Sequence, residues 1–127
     1  MDILIESTRD FEKDISKLSS HEKANTVKKI NDCASEFSAQ NAHVYRELHR
    51  LPTSSGLNGY ESSLYTLEVS EDLRVILSVD EDPIFGQVIF TLFRVVSPDN
   101  VDKAYQDVAA ALYQEILHHS QEIAPIS

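Results

Sequence analysis

At 127 residues with a net charge of −10 and one cysteine, Cys33, the chain has the length of one domain, 1–127, and no means of forming an internal disulfide. A domain of this size buries roughly two-thirds of the surface its unfolded form exposes, so it needs neither a metal nor a disulfide to fold. The charge is uneven. Residues 1–60 carry eight Lys or Arg against nine Asp or Glu, and residues 61–127 carry three against twelve, which argues against general binding to a phosphate backbone. No run approaches the ~20 apolar residues of a membrane span, no basic-then-apolar leader opens the chain, and a reducing, cytoplasmic setting fits the cysteine usage.

The short apolar run DILIE at 2–6 predicts a first strand, with Ser7 or Thr8 free to cap a helix after it. Phe11, Ile15 and Leu18 recur at helical spacing, with Glu12, Asp14 and Lys17 on the polar side. Ser19 and Glu22 have the spacing of a capping box, which starts a second helix whose apolar stripe is Val27, Ile30, Ala34 and Phe37. Cys33 falls within that pattern and reads as a small core residue. Residues 43–51 place Val44, Leu48 and Leu51 at helical spacing and suggest a further short turn ended by Pro52, after which PTSSGLNGYESS reads as a surface loop.

The remaining chain is strand-rich. In SLYTLEV, Tyr65, Leu67 and Val69 alternate with Leu64, Thr66 and Glu68; after SED, Leu73, Val75, Leu77 and Val79 oppose Arg74, Ile76 and Ser78. Gln87 to Val96 is apolar on both faces, the pattern of an inner strand. The hairpin 73–96 is therefore expected at the middle of the only sheet, with helices on one face and any site on the other. Asp99 or Asn100 can cap a last helix carrying Val101, Tyr105, Val108, Leu112 and Ile116 and ending near His118 and His119. The elements predict an α+β fold in the order β-α-α-β-β-β-α, a mostly antiparallel four-stranded sheet packed by an N-terminal helical hairpin and a C-terminal helix.

This order, with FEKDISKL, KANTVKKI, YTLEV, LRVILSV with Arg at its second position, and VDKAY, resembles the RelE/ParE superfamily of toxins from toxin–antitoxin pairs. The resemblance covers nearly the whole chain. RelE-type members are ribosome-dependent endoribonucleases that cut mRNA and inhibit translation, and the chemistry calls for a base at the 2′-hydroxyl, cations at the phosphate and an acid at the leaving oxygen. By resemblance Arg74 faces the phosphate and Tyr105 matches the tyrosine closing the family's C-terminal motif. His49 and Arg50, with Arg46 one turn away, supply further basic groups. The resemblance thus implies a metal-independent enzyme without cofactors, its catalytic residues Arg74, His49, Arg50 and Tyr105. The implied partners are a small antitoxin, the ribosome and mRNA, with a homodimer allowed and no membrane.

The chain also departs from that pattern. SPDNVDKAY has no histidine before Tyr105, and residues 61–102 hold only Arg74 and Arg94 as basic groups. The ParE-like branch, which inhibits DNA gyrase by binding, does not need the histidine. A second reading is therefore a non-catalytic protein-binding module on the same scaffold, ParE-like or a divergent antitoxin-bound homologue. Apart from any site, Arg74 can be a solvated strand residue paired with Glu68 or another nearby acid, and Arg94 a structural ion pair at the end of its strand. Asp80, Glu81 and Asp82, with Glu71 and Asp72, raise calcium binding as a third reading, but DEDPIFG lacks the spacing of a calcium loop and reads better as an acidic hairpin turn.

Overall fold

A computed structural model describes residues 2–39, 45–52 and 63–123, the side chains of 38, 39, 113 and 115–123 excepted. The elements are β1 (Asp2–Ser7), α1 (Arg9–Ser16), α2 (Ser20–Ala39), β2 (Leu48–His49), β3 (Leu64–Glu68), β4 (Arg74–Asp82), β5 (Gln87–Val96) and α3 (Pro98–Ile123). Val44 and residues 53–62 of the expected loop lie outside the described residues.

The fold is α+β, but the sheet differs from the expected one in two ways. It has five strands in the order β1-β5-β4-β3-β2, and it is mixed, because β1 pairs parallel with β5 while the other neighbours are antiparallel. The extra strand is β2. Tyr45, Arg46 and Glu47 form the expected turn of helix, after which Leu48 and His49 leave it to pair with Leu67 and Thr66. The sequence pattern could not separate these outcomes, since Leu48 is a buried position in either. The hairpin β4–β5 is indeed central.

Helices pack on both faces of the sheet, α3 over part of the second, which corrects the expectation of helices on one face alone. Phe11, Ile30, Cys33, Ala34 and Phe37 from the first two helices pack on Leu67, Val75, Leu77, Val79, Val88, Phe90, Leu92 and Val95. On the opposite face Ala104, Tyr105 and Ala109 of α3 pack on Leu64, Ile76 and Val96. These two sets explain why β5 carries apolar residues on both faces: Val88, Phe90, Leu92 and Val95 meet the α1/α2 layer, and Phe93 and Val96 meet α3. Phe37 sits edge-on to Phe90 at 5.8 Å and to Tyr45 at 5.6 Å between ring centroids, the orientation that ring quadrupoles favour.

Local chemistry sets the helix boundaries. Thr8 caps α1 by accepting the Phe11 amide at 3.1 Å, and its hydroxyl is also within 3.1 Å of the Leu92 and Phe93 carbonyls, which ties the cap to β5. The capping box of α2 is present: Ser19 Oγ accepts the Glu22 amide and Glu22 Oε1 accepts the Ser19 amide, each at 3.1 Å. The last helix begins at Pro98, earlier than expected, so Asp99 and Asn100 lie in its first turn, and it runs on to Ile123, past His118 and His119. Proline suits that first position because its missing amide proton has no intrahelical partner there.

Cys33 is 1% exposed in the α2 core. Burial, reinforced by the Glu47 and Glu36 carboxylates, raises its thiol to about 11 from 9.0. The native thiol should therefore resist iodoacetamide at pH 7–9, whereas urea-unfolded chain is alkylated at the rate of a free cysteine; mass spectrometry of timed quenches reads the difference. The same shift removes stability as pH rises from the unfolded value of 9.0 through about 11, because only the unfolded thiol ionises readily in that window.

Candidate functional site

The four candidate catalytic residues occupy different settings. Arg74 opens β4 opposite Glu68 on β3 and Val96 on β5. Its Nη1 donates to the carbonyls of Ser70 and of Leu73, the latter at 3.0 Å, so the guanidinium closes the turn between β3 and β4. Its Nη2 lies 4.0 Å from Glu68 Oε1, and only 22% of the side chain is exposed. A fork of donors suited to a phosphate is thus directed at two carbonyls and a carboxylate of the chain itself.

Tyr105 is fully buried, and its phenol donates to the Leu64 carbonyl at 2.8 Å. That bond satisfies two polar groups in the layer between α3 and the sheet, a setting that gives the residue a structural task. His49 is exposed on the edge strand β2 opposite Thr66, whose hydroxyl lies 3.3 Å from the His49 carbonyl. It borders an open depression with Lys29, Glu47, Leu67, Glu68 and Val69, where Lys29 and Glu47 approach to 4.0 Å. The neighbourhood of the candidate base therefore holds two carboxylates against one lysine.

Arg50 turns elsewhere. Its Nη2 donates to the Tyr65 hydroxyl at 2.9 Å, with its guanidinium carbon 4.9 Å from that ring's centroid. Tyr65 packs with the α1/α2 core, whereas Tyr105 belongs to the α3 layer, so the sheet separates Arg50 from Tyr105. Arg46 is exposed. Tyr45 extends the aromatic row to Tyr65 at 5.7 Å and donates its phenol to Glu81 at 2.9 Å; burial first, then that carboxylate, raises the phenol above its ordinary value.

By the strand register, Ser78, Asp80 and Asp82 of β4 share the α3 side with Ile89 and Thr91 of β5 and with Leu4 and Glu6 of β1. The part of this face beyond α3 is acidic. The second arginine of the sheet, Arg94, is engaged by Asp14 of α1 in a two-pronged pair at 2.6 and 3.2 Å, and the Val95 amide donates to the same carboxylate at 3.0 Å. Asp14 stands where β1 has ended its pairing at Leu92, and it occupies the open edge of β5 with a side chain in place of a strand. A bulge assists, since Ile76 pairs with Arg94 and Leu77 with Leu92, leaving Phe93 as the extra residue that packs in the α3 layer.

The acidic turn uses its carboxylates locally. Asp82 Oδ1 accepts the amides of Ile84 and Phe85, Glu81 accepts the Tyr45 phenol, and the Ser78 hydroxyl lies 3.4 Å from Asp80. Among the described residues no group of three or more His, Cys, Asp or Glu is placed to hold a metal ion, and no helix is long and apolar enough to cross a membrane.

Sequence reasoning missed the β1 edge, the apolar hairpin tip at Ile84 and Phe85 and the reach of Asp14, none of which carries a periodic signal. Ile84 and Phe85 do stand out as two large apolar residues inside a turn. Compared with family models, curated proteins and solved structures, the chain has no match.

Proposed function

We propose that the chain is a protein-binding member of a RelE-like toxin–antitoxin pair, acting through contact with a partner protein and not by cutting mRNA. The observation that carries this reading is the engagement of the candidate catalytic groups. Tyr105 is sealed beneath α3, Arg74 closes a backbone turn, and the carboxylates around His49 and beyond α3 repel a phosphate backbone. Partner proteins, unlike RNA, can be selected by negative charge.

Tagged protein recovered from its native host should bring down a small protein partner and no ribosomes, and purified protein added to programmed ribosomes should leave the mRNA intact. Arg74→Ala should lower stability by about 1 kcal/mol through the lost carbonyl bonds and leave partner recovery unchanged. Ribosome-dependent cleavage that disappears in Arg74→Ala would overturn the proposal and establish the endoribonuclease reading.

A further inference from the structure

The turn between β4 and β5 holds two large apolar side chains in water. Asp82 Oδ1 accepts the amides of Ile84 at 3.0 Å and Phe85 at 3.3 Å, and Gly86 completes the turn at φ 64°, where a side chain would be strained. Ile84 is 84% exposed and Phe85 74%. A turn fixed by its own side-chain bonds displays these groups at little cost in ordering when something binds them.

The turn is continuous with the outer edge of the sheet, because the Asp2 amide donates to the Gly86 carbonyl at 2.9 Å. In β1 the Asp2 and Thr8 amides both reach β5, the latter through the Leu92 carbonyl at 3.0 Å. A residue's amide and carbonyl point to the same side of its strand, so Leu4 and Glu6 also face β5, while Ile3, Ile5 and Ser7 turn their donors and acceptors outward. The β1 sequence, DILIES, contains no lysine, proline or bulge of the kind that protects an edge. Leu4 and Ile5 are 41% and 42% exposed.

The two sides of this edge differ chemically. On the α2 side an open depression of about 300 Å³ is lined by Ile3, Ile5, Asn31, Ala34 and Ser35. On the α3 side the β1 row is Asp2, Leu4 and Glu6. An added strand presents alternate residues to these two sides, so the best complement alternates apolar residues toward the depression with basic residues toward the acids. Asp80, Glu81 and Asp82 behind the tip add to the negative field. A second copy fits poorly: it too carries −10, and antiparallel self-pairing centred on Leu4 sets Asp2 against Glu6.

We propose that the β1 edge and the Ile84–Phe85 tip together take up an extended segment of a partner protein, alternating apolar and basic residues, as a sixth strand. The proposal rests on the protein-binding reading above and names the surface it uses. The test is a capped ten-residue peptide of alternating Lys and Val, compared with its Glu/Val counterpart and with a Lys/Val peptide interrupted by central prolines. Calorimetry measures affinity, and hydrogen exchange by NMR measures protection of the Ile3, Ile5 and Ser7 amides.

The alternating Lys/Val peptide should bind at least tenfold tighter than either control and protect those three amides. Ile5→Lys and Phe85→Asp, both at exposed positions and checked for an unchanged melting temperature, should each weaken it at least fivefold. Equal binding of the proline-interrupted peptide, or no protection at these amides, would overturn the proposal. So would protection that appears without peptide as protein concentration rises, which assigns the edge to a second copy. Because the assay uses a synthetic probe, its failure condemns the surface alone; the protein-binding reading falls only if no protein partner is recovered from the host.

Discussion

Tyr105→Ala should lower unfolding free energy by about 3–5 kcal/mol, the range for truncating a large buried aromatic side chain. Tyr105→Phe should cost about 1–3 kcal/mol, because it keeps the ring but leaves the Leu64 carbonyl without this donor. Urea denaturation with an unchanged slope reads both values. The pair of variants separates packing from hydrogen bonding, and it bears on function too. If the phenol were a proton donor in catalysis, Phe would abolish activity in protein that stays folded, while a structural phenol predicts a modest loss of stability with partner recovery intact.

The second large effect is expected at Asp14. Its carboxylate holds Arg94 and the Val95 amide together, and its own side chain is 12% exposed. Asp14→Ala should cost about 2–4 kcal/mol, since it leaves a partly buried guanidinium and an edge amide without their acceptor. Removing both charged partners should cost less than the sum of the single changes, a coupling that a double-mutant cycle with Arg94→Met measures directly. Asp14 raises the Arg94 pKa further above its ordinary value, mainly by this hydrogen bond, so the cation itself persists over the working pH range. A loss below about 0.5 kcal/mol in Asp14→Ala would show that the pair behaves as an ordinary surface ion pair.

The reach of Asp14 illustrates where sequence reasoning stopped. The helical spacing of Phe11, Ile15 and Leu18 assigned Asp14 to the polar side of α1, and nothing in that pattern indicates that the polar side meets the end of a strand 80 residues away. Strand patterns were far more legible. The alternation in β3 and β4 divided their residues correctly between the two core layers, because a period of two in a buried sheet has only one physical solution. The caps at Thr8 and Ser19 were legible for a similar reason, since their bonds span only three residues.

The pairing partner of β1 was not legible. A short apolar strand fits either edge and either direction, so DILIES itself does not encode its parallel pairing with β5. The candidate site was legible only as a set of residue types. Glu68 was one of the acids offered as a partner for Arg74, and it does lie opposite, but the Arg74 side chain also bonds to carbonyls of the adjoining turn, a local geometry that spacing does not encode. His49 lay in a helical pattern that became a strand, and Tyr105 fell on the apolar stripe that its burial in the α3 layer satisfies.

The parallel pairing of β1 also sets an order of events during synthesis. Each β1 residue finds its ladder partner 85 positions later, as Asp2 does with Gln87, whereas β4 and β5 are joined by a four-residue turn and can pair as soon as both have emerged. At ribosomal elongation rates the interval is on the order of ten seconds, during which DILIES is exposed along both edges. A partner segment present at the ribosome would therefore meet a strand with two open sides, and one arriving after release only one. For the strand partner proposed above, assembly coupled to translation and assembly from finished chains should accordingly differ in rate and in susceptibility to aggregation.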